Sequence, residues 1–165
     1  MNLVAFYQCQ TPDNLGRRLS DYWTWNHDRL EEVHNFIQWM FPLMEPSNFN
    51  ASAPTLDAQS MAEFRNQPAI QQNLLKSLEV MLDFYGFTLD RVGKSVTPAA
   101  HFHERADNWL FPNDHNHLRI TRILKCLTLC GLGDYATAFH AALLHVSTPT
   151  NVTTATLRFW NDAVR

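Results

Sequence analysis

Glycine is scarce in this sequence, with 5 among 165 residues. Tight hairpins draw on glycine for positive-φ positions, so a fold built from many of them is excluded. Cysteine is scarce too. Cys9, Cys126 and Cys130 are odd in number and lack the spacing of a disulfide framework. Cys126 and Cys130 stand one helical turn apart and read as small apolar core side chains, and the reducing cytosol is the expected compartment. No apolar run approaches the ~20 residues that span a membrane. The N-terminus has no positive flank, and its apolar run is too short for a signal peptide. The sequons at Asn50 and Asn151 therefore read as chance matches. Positive charge is not in excess. Thirteen Lys and Arg against 16 Asp and Glu give a net charge of -3, which argues against general nucleic-acid binding. There is no glycine-rich phosphate loop and no Gly-x-Ser-x-Gly elbow, so no cofactor and no nucleophilic serine are implied.

What is present is apolar and aromatic material at helical spacing. Leu30, Val33, Ile37, Met40 and Phe41 predict a helix from about Asp28 to Phe41, stopped by Pro42. A shorter helix is expected over Leu15 to Trp25. Three prolines between 42 and 54 read as a loop, after which Thr55 is placed to cap a short helix bearing Ala58, Met61 and Phe64. Pro68 suits the first turn of a helix carrying Ile70, Leu74, Leu78, Met81, Leu82 and Tyr85, with Gly86 as its C′ residue. The stretch from Phe87 to Pro98 is the most strand-like, but its alternation is poor and it reads as a loop. Helices are expected over Ala99 to Trp109, from Asp114 to Gly131, over Tyr135 to Val146 and over Val152 to Ala163. The fold class is all-α: residues 1–165 as a single compact multi-helix domain, an irregular bundle of roughly six to eight helices.

Two stretches are more specific than these patterns. One runs from Arg29 to Pro46 (RLEEVHNFIQWMFPLMEP), the other from His115 to Lys125 (HNHLRITRILK) followed by Gly131 and Leu132. Together with Leu82 to Phe87, with Asn2, Leu3, Phe6 and Tyr7 at the start and with Ala163 to Arg165 at the end, they resemble the conserved region of the opioid growth factor receptor family, in order and over essentially the whole chain. The resemblance implies a helical intracellular domain from receptors that bind an enkephalin-type pentapeptide and restrain proliferation. The chain is expected to be that conserved region standing alone, without the nuclear-localisation segments and C-terminal repeats of longer members. The family supplies no catalytic residues to carry over.

Three constellations invite a chemical reading. His115, Arg119, Arg122 and Lys125 are spaced by four, three and three, and on a helix they line one face. With Asn116 and His117 in the first turn, they suit a carboxylate or phosphate; the alternative is a solvated face, or pairs to Glu31 and Glu32. Glu31 and His34 form a Glu-x-x-His pair, with Glu32 beside them, but the second such motif that a di-iron bundle needs is absent. His101 with His103, and His115 with His117, are His-x-His pairs whose side chains diverge on a helix. Finally, Phe36 and Trp39 fall off the apolar stripe of the predicted helix. They read either as a binding wall or as a second buried face.

These residues frame a non-enzymatic binding domain. The two signature segments would form a groove, with Phe36 and Trp39 as its apolar wall and with His115, Arg119 and Arg122 holding an acidic end. The expected partner is a short peptide or a small carboxylate- or phosphate-bearing ligand, or a protein. The rival is a metal- or phosphate-handling hydrolase using Glu31, Glu32 and His34, with Arg119 and Arg122 orienting the substrate.

Overall fold

The computed structural model describes residues 2–165. Ten helices and one hairpin follow in chain order: α1 (Leu3–Tyr7), α2 (Leu19–Tyr22), α3 (His27–Glu32), α4 (Ile37–Met40), α5 (Ala58–Asn66), α6 (Pro68–Tyr85), β1 (Phe87–Asp90), β2 (Ser95–Pro98), α7 (Phe102–Ala106), α8 (Asn116–Leu129), α9 (Gly133–Val146) and α10 (Thr154–Ala163). The chain divides into two compact units, Met1–Val80 and Met81–Arg165, with the division inside α6.

The first unit is held by aromatic packing. The Asn2 side chain caps α1 by accepting from the Ala5 amide at 3.0 Å. Phe6 and Tyr7, which α1 carries inward, are fully buried. The Phe6 ring lies 4.9 Å from Trp39 and 5.8 Å from Tyr22, and Tyr7 lies 4.8 Å from Phe64. Such ring pairs contribute ~0.5–1.5 kcal/mol each beyond the area they bury. The Tyr7 hydroxyl is also satisfied, donating to the Met40 carbonyl and lying 3.1 Å from Ser77 Oγ.

The long helix expected from Asp28 to Phe41 is two short ones. Val33 is extended, with φ -85° and ψ 125°, and α3 ends there. The cause is tertiary. Arg17 donates from its two terminal nitrogens to Asn35 Oδ1 at 2.9 Å and to the Asn35 carbonyl at 3.3 Å, fixing that residue outside a helix. Phe36 then turns inward, 5.6 Å from Tyr22 and 5.3 Å from Trp25. The β-branched Val33 at the break weakens helix propensity only slightly. The break thus rests on these contacts rather than on any local stop signal.

In the second unit α8 packs on α9 and α10, and β2 packs on α9. Tyr85, Phe87, Trp109, Phe139 and Trp160 are among its buried aromatics. The fold is therefore not purely helical. Residues 87–98, expected as a loop, form an antiparallel hairpin with Phe87 opposite Pro98 and Asp90 opposite Ser95. Its four-residue turn is built by Asp90, whose Oδ1 accepts from the amides of Val92 and Gly93 at 3.0 Å each. The Tyr135 hydroxyl donates to the Arg91 carbonyl at 2.9 Å and ties the turn to α9.

Smaller expectations also shift. The cap of α5 is Asp57, which accepts from the Ser60 amide at 2.7 Å, rather than Thr55. The helix expected over Leu15 to Trp25 is the single turn α2, and the one over Ala99 to Trp109 is the five-residue α7. Gly86 and Gly131 do end their helices with positive φ, +92° and +84°.

Candidate functional site

The structure sorts the residues of the two signature stretches by burial. In the first unit, Glu31 is half-buried on α3, while Glu32 and His34 are exposed. Because α3 ends at Glu32, Glu31 and His34 do not share a helical face, and the Glu-x-x-His arrangement is not formed. Among the described residues no three His, Cys, Asp or Glu side chains converge as a metal-binding group. Phe36 and Trp39 are 0% and 1% exposed. Their off-stripe positions belonged to a helix that is broken at Val33, and the break turns both rings into the aromatic core.

In the second unit, α8 carries the remaining candidates. Asp114 Oδ1 accepts from the Asn116 amide at 2.9 Å and starts the helix. Asn116 and His117 are buried ties. Asn116 Oδ1 lies 3.4 Å from the Tyr85 hydroxyl, which donates to it. His117 Nε2 lies 3.0 Å from the Trp109 carbonyl, a contact that places the ring proton on that nitrogen. Its Nδ1 is buried with no hydrogen-bonding partner among the described residues. Burial pushes the imidazole below the ordinary histidine range, against the opposing pull of the Trp109 carbonyl and the Asp114 charge. The ring sits edge-on to Trp109 and Trp160, 6.3 and 5.4 Å between centroids, and the Trp160 indole donates to the His117 carbonyl at 3.2 Å. His117 therefore joins Trp109 and Trp160 in the core.

Arg119 is also buried, whereas Arg122 and Lys125 are half-buried and His115 is exposed. The His115 ring has Asp114 beside it, with 3.6 Å between Nδ1 and Oδ2. Leu118, on the next face, is an exposed apolar side chain. Of the four residues spaced along α8, His115, Arg122 and Lys125 keep solvent exposure.

Two features carried no sequence signal. The first is a buried polar network in the first unit. Asp13, 5% exposed, accepts from the Leu15 and Arg17 amides at 2.9 Å each, from Arg17 Nε at 2.7 Å and from the Tyr22 hydroxyl. The Arg17 guanidinium also lies over the Tyr22 and Trp25 rings at 5.4 and 5.7 Å, and Arg29 covers Trp25 at 4.4 Å. The local pattern Asp-x-x-x-Arg at 13 and 17 was the only available hint. The second is a cleft of about 600 Å³ between α1 and α5, where Leu3, Val4 and Pro54 meet the carboxylates of Asp57 and Glu63. Asn2, Leu3 and Thr55, read from the sequence for other reasons, line it, and none of the candidate site residues does.

No described helix is long and apolar enough to cross a membrane. The chain matches the family model described as the opioid growth factor receptor conserved region over residues 1–165. It is 44% identical over 137 residues to the opioid growth factor receptor of Rattus norvegicus, an alignment covering 80% of this chain and 23% of that protein. Against the Homo sapiens receptor it is 44% identical over 111 residues, covering 67% of this chain and 16% of the relative. Opioid growth factor receptor-like protein 1 of Xenopus tropicalis is 32% identical over 136 residues, covering 82% and 25% respectively. The chain thus spans a quarter or less of the length of these relatives. No solved structure matches. From the full-length match and these identities, the chain belongs to the opioid growth factor receptor family, of which it carries the conserved region.

Proposed function

We propose that this chain is a non-enzymatic binding domain for a short peptide, recognised at its carboxylate end by the accessible cationic edge of α8. The observation that carries this reading is the disposition of His115, Arg122 and Lys125, which leave imidazole, guanidinium and ammonium groups at the surface of one helix. An Arg fork matches a carboxylate in plane and bidentately, whereas Lys adds a point charge. The exposed Leu118 beside them offers apolar contact to an adjoining side chain. Relatives at 44% identity are named receptors for an opioid growth factor, which favours a peptide over a small anion.

Calorimetry with the peptide Tyr-Gly-Gly-Phe-Met tests it. Saturable binding is expected. Loss of one charge-assisted hydrogen-bonded contact is worth ~1.5–3 kcal/mol, so Arg122→Ala should weaken binding by roughly 10- to 150-fold. The C-terminal amide of the same peptide should lose a similar amount. Equal binding of the amide and the free acid would reject carboxylate recognition, and absence of heat at high protein concentration would reject the peptide reading itself.

A further inference from the structure

The face of α8 that begins with His115 does not end at Arg122. Counting on by four reaches Cys126 and by four more Cys130, so the two thiols continue the column that His115, Arg119 and Arg122 begin. Both cysteines are fully buried, and their sulfurs stand 4.0 Å apart. Cys126 lies within the last full turn, and Cys130 caps the helix, its amide donating to the Cys126 carbonyl at 2.9 Å. Gly131, with φ +84°, then reverses the chain.

Metal–thiolate bonds are ~2.3 Å long, so two sulfurs on one ion stand at most ~4.6 Å apart. The observed separation falls inside that limit and requires almost no movement of the helix. A disulfide, with a bond of ~2.05 Å, would require the sulfurs to approach by roughly 2 Å inside a packed core. Zinc requires four ligands, and among the described residues no third His, Cys, Asp or Glu converges on the pair. Soft thiolates suit Cu(I), zinc and iron–sulfur clusters, and because zinc and the clusters are held by four ligands, Cu(I) is the ion that a lone pair of thiolates fits. We propose that Cys126 and Cys130 form a two-coordinate site for Cu(I).

The charge balance supports it. Binding replaces two thiol protons, 2 Cys–SH + Cu⁺ → Cu(S–Cys)₂⁻ + 2 H⁺, and leaves one negative charge in an apolar setting. Arg122, one turn upstream on the same face, is the charged group that favours the Cys126 thiolate. Without metal, burial pushes the Cys126 thiol well above its ordinary value, with the neighbouring Cys130 adding to the effect.

The test is anaerobic titration of the reduced full chain with Cu(I) in competition with bathocuproine disulfonate. One ion per chain and two protons released are expected. Wild type and Cys9→Ser should behave alike, while Cys126→Ala and Cys130→Ala should each lose at least about 100-fold in affinity. Below the thiol pKa values, affinity should fall by about 100-fold per pH unit, because two protons compete. X-ray absorption at the copper edge of the loaded wild type needs no variant, and it should show two sulfur neighbours and no nitrogen or oxygen. Equal stripping of Cu(I) from wild type and from a folded Cys126→Ala/Cys130→Ala double variant would overturn the proposal, as would a three- or four-ligand copper spectrum or stoichiometric retention of Zn²⁺.

Discussion

Replacing Asp13 should be among the most damaging single changes available in the first unit. Its carboxylate side chain is wholly buried and accepts four hydrogen bonds, two of them from main-chain amides of the 13–17 turn. Asp13→Ala would leave the Leu15 and Arg17 amides and the Tyr22 hydroxyl without their acceptor. It would also leave the Arg17 charge, 16% exposed, without its carboxylate. A buried unsatisfied donor costs ~1–3 kcal/mol, and removing one partner of a buried ion pair costs ~3–5 kcal/mol. Because Arg17 retains Asn35 and some solvent, the lower figure of ~3 kcal/mol is the expected loss. With a urea m-value of ~2 kcal/mol/M, the unfolding midpoint should fall by ~1.5 M, followed by fluorescence of the first unit's tryptophans. The pH dependence supplies an independent check. Burial alone would raise the Asp13 pKa, but hydrogen bonds from Tyr22, Arg17 and Leu15 outweigh it and hold the carboxyl below its ordinary value of 3.8. A depressed folded-state pKa means that the stabilisation is complete above the ordinary value and is lost as pH falls through the folded one. Asp13→Asn cannot ionise, so the acid-induced loss below about pH 4 should shrink in that variant. A loss under ~1 kcal/mol for Asp13→Ala, together with an unchanged acid limb in Asp13→Asn, would refute the network as a source of stability.

His117 gives a second, separate acid limb. Its folded-state pKa is depressed by burial, so its contribution is intact above the unfolded value of ~6.5 and is lost as pH falls below it. His117→Gln keeps a donor for the Trp109 carbonyl and should flatten the fall in thermal stability of the second unit as pH drops below about 6.5. An unchanged slope would show that another group titrates there. Gly86→Ala should destabilise by ~2–4 kcal/mol, because φ is +92° and a Cβ there would stand 2.8 Å from the Phe102 Cα. A melting temperature within ~2 °C of wild type would contradict that account. Arg122→Lys should keep most of the Cu(I) affinity, which needs only a nearby charge, while weakening peptide binding, which needs the planar fork.

The sequence made visible the elements whose signals are local. The helix from Pro68 has proline at its start and glycine at its end, and the apolar spacing between them is regular over five turns, so both ends are placed correctly. Gly133 to Val146 and Thr154 to Ala163 are likewise bounded by turn residues at the expected positions. The hairpin was hidden because each strand has only four residues and the turn lacks an Asn-Gly or Asp-Gly pair at its centre. What decides the hairpin is the Tyr135 hydroxyl on the Arg91 carbonyl, 44 residues away in sequence. The break at Val33 was hidden for the same kind of reason. Asn35 is held by Arg17, 18 residues upstream, and a periodicity computed through a break assigns the wrong face to every residue beyond it. Phe36 and Trp39 were misplaced on the helix by that arithmetic, not by their chemistry.

The second signature stretch shows why a recognisable motif need not be a list of ligand-binding residues. Asn116, His117 and Arg119 are among its most distinctive positions, and all three are buried. Asn116 and His117 fasten the start of α8 to Tyr85 and to the Trp109 carbonyl. Substituting either would unseat the helix, so any loss of function that followed would report on the fold and not on a ligand contact. Arg122 and Lys125 differ because their side chains reach solvent, and exchanging them leaves those two ties in place. Farther down the same face, the helix passes back into the core at Cys126 and Cys130. Along this column the half-buried Arg122 gives way to two fully buried thiols. The informative substitutions are those on either side of that transition, because only there does a change in function report on a site rather than on the fold.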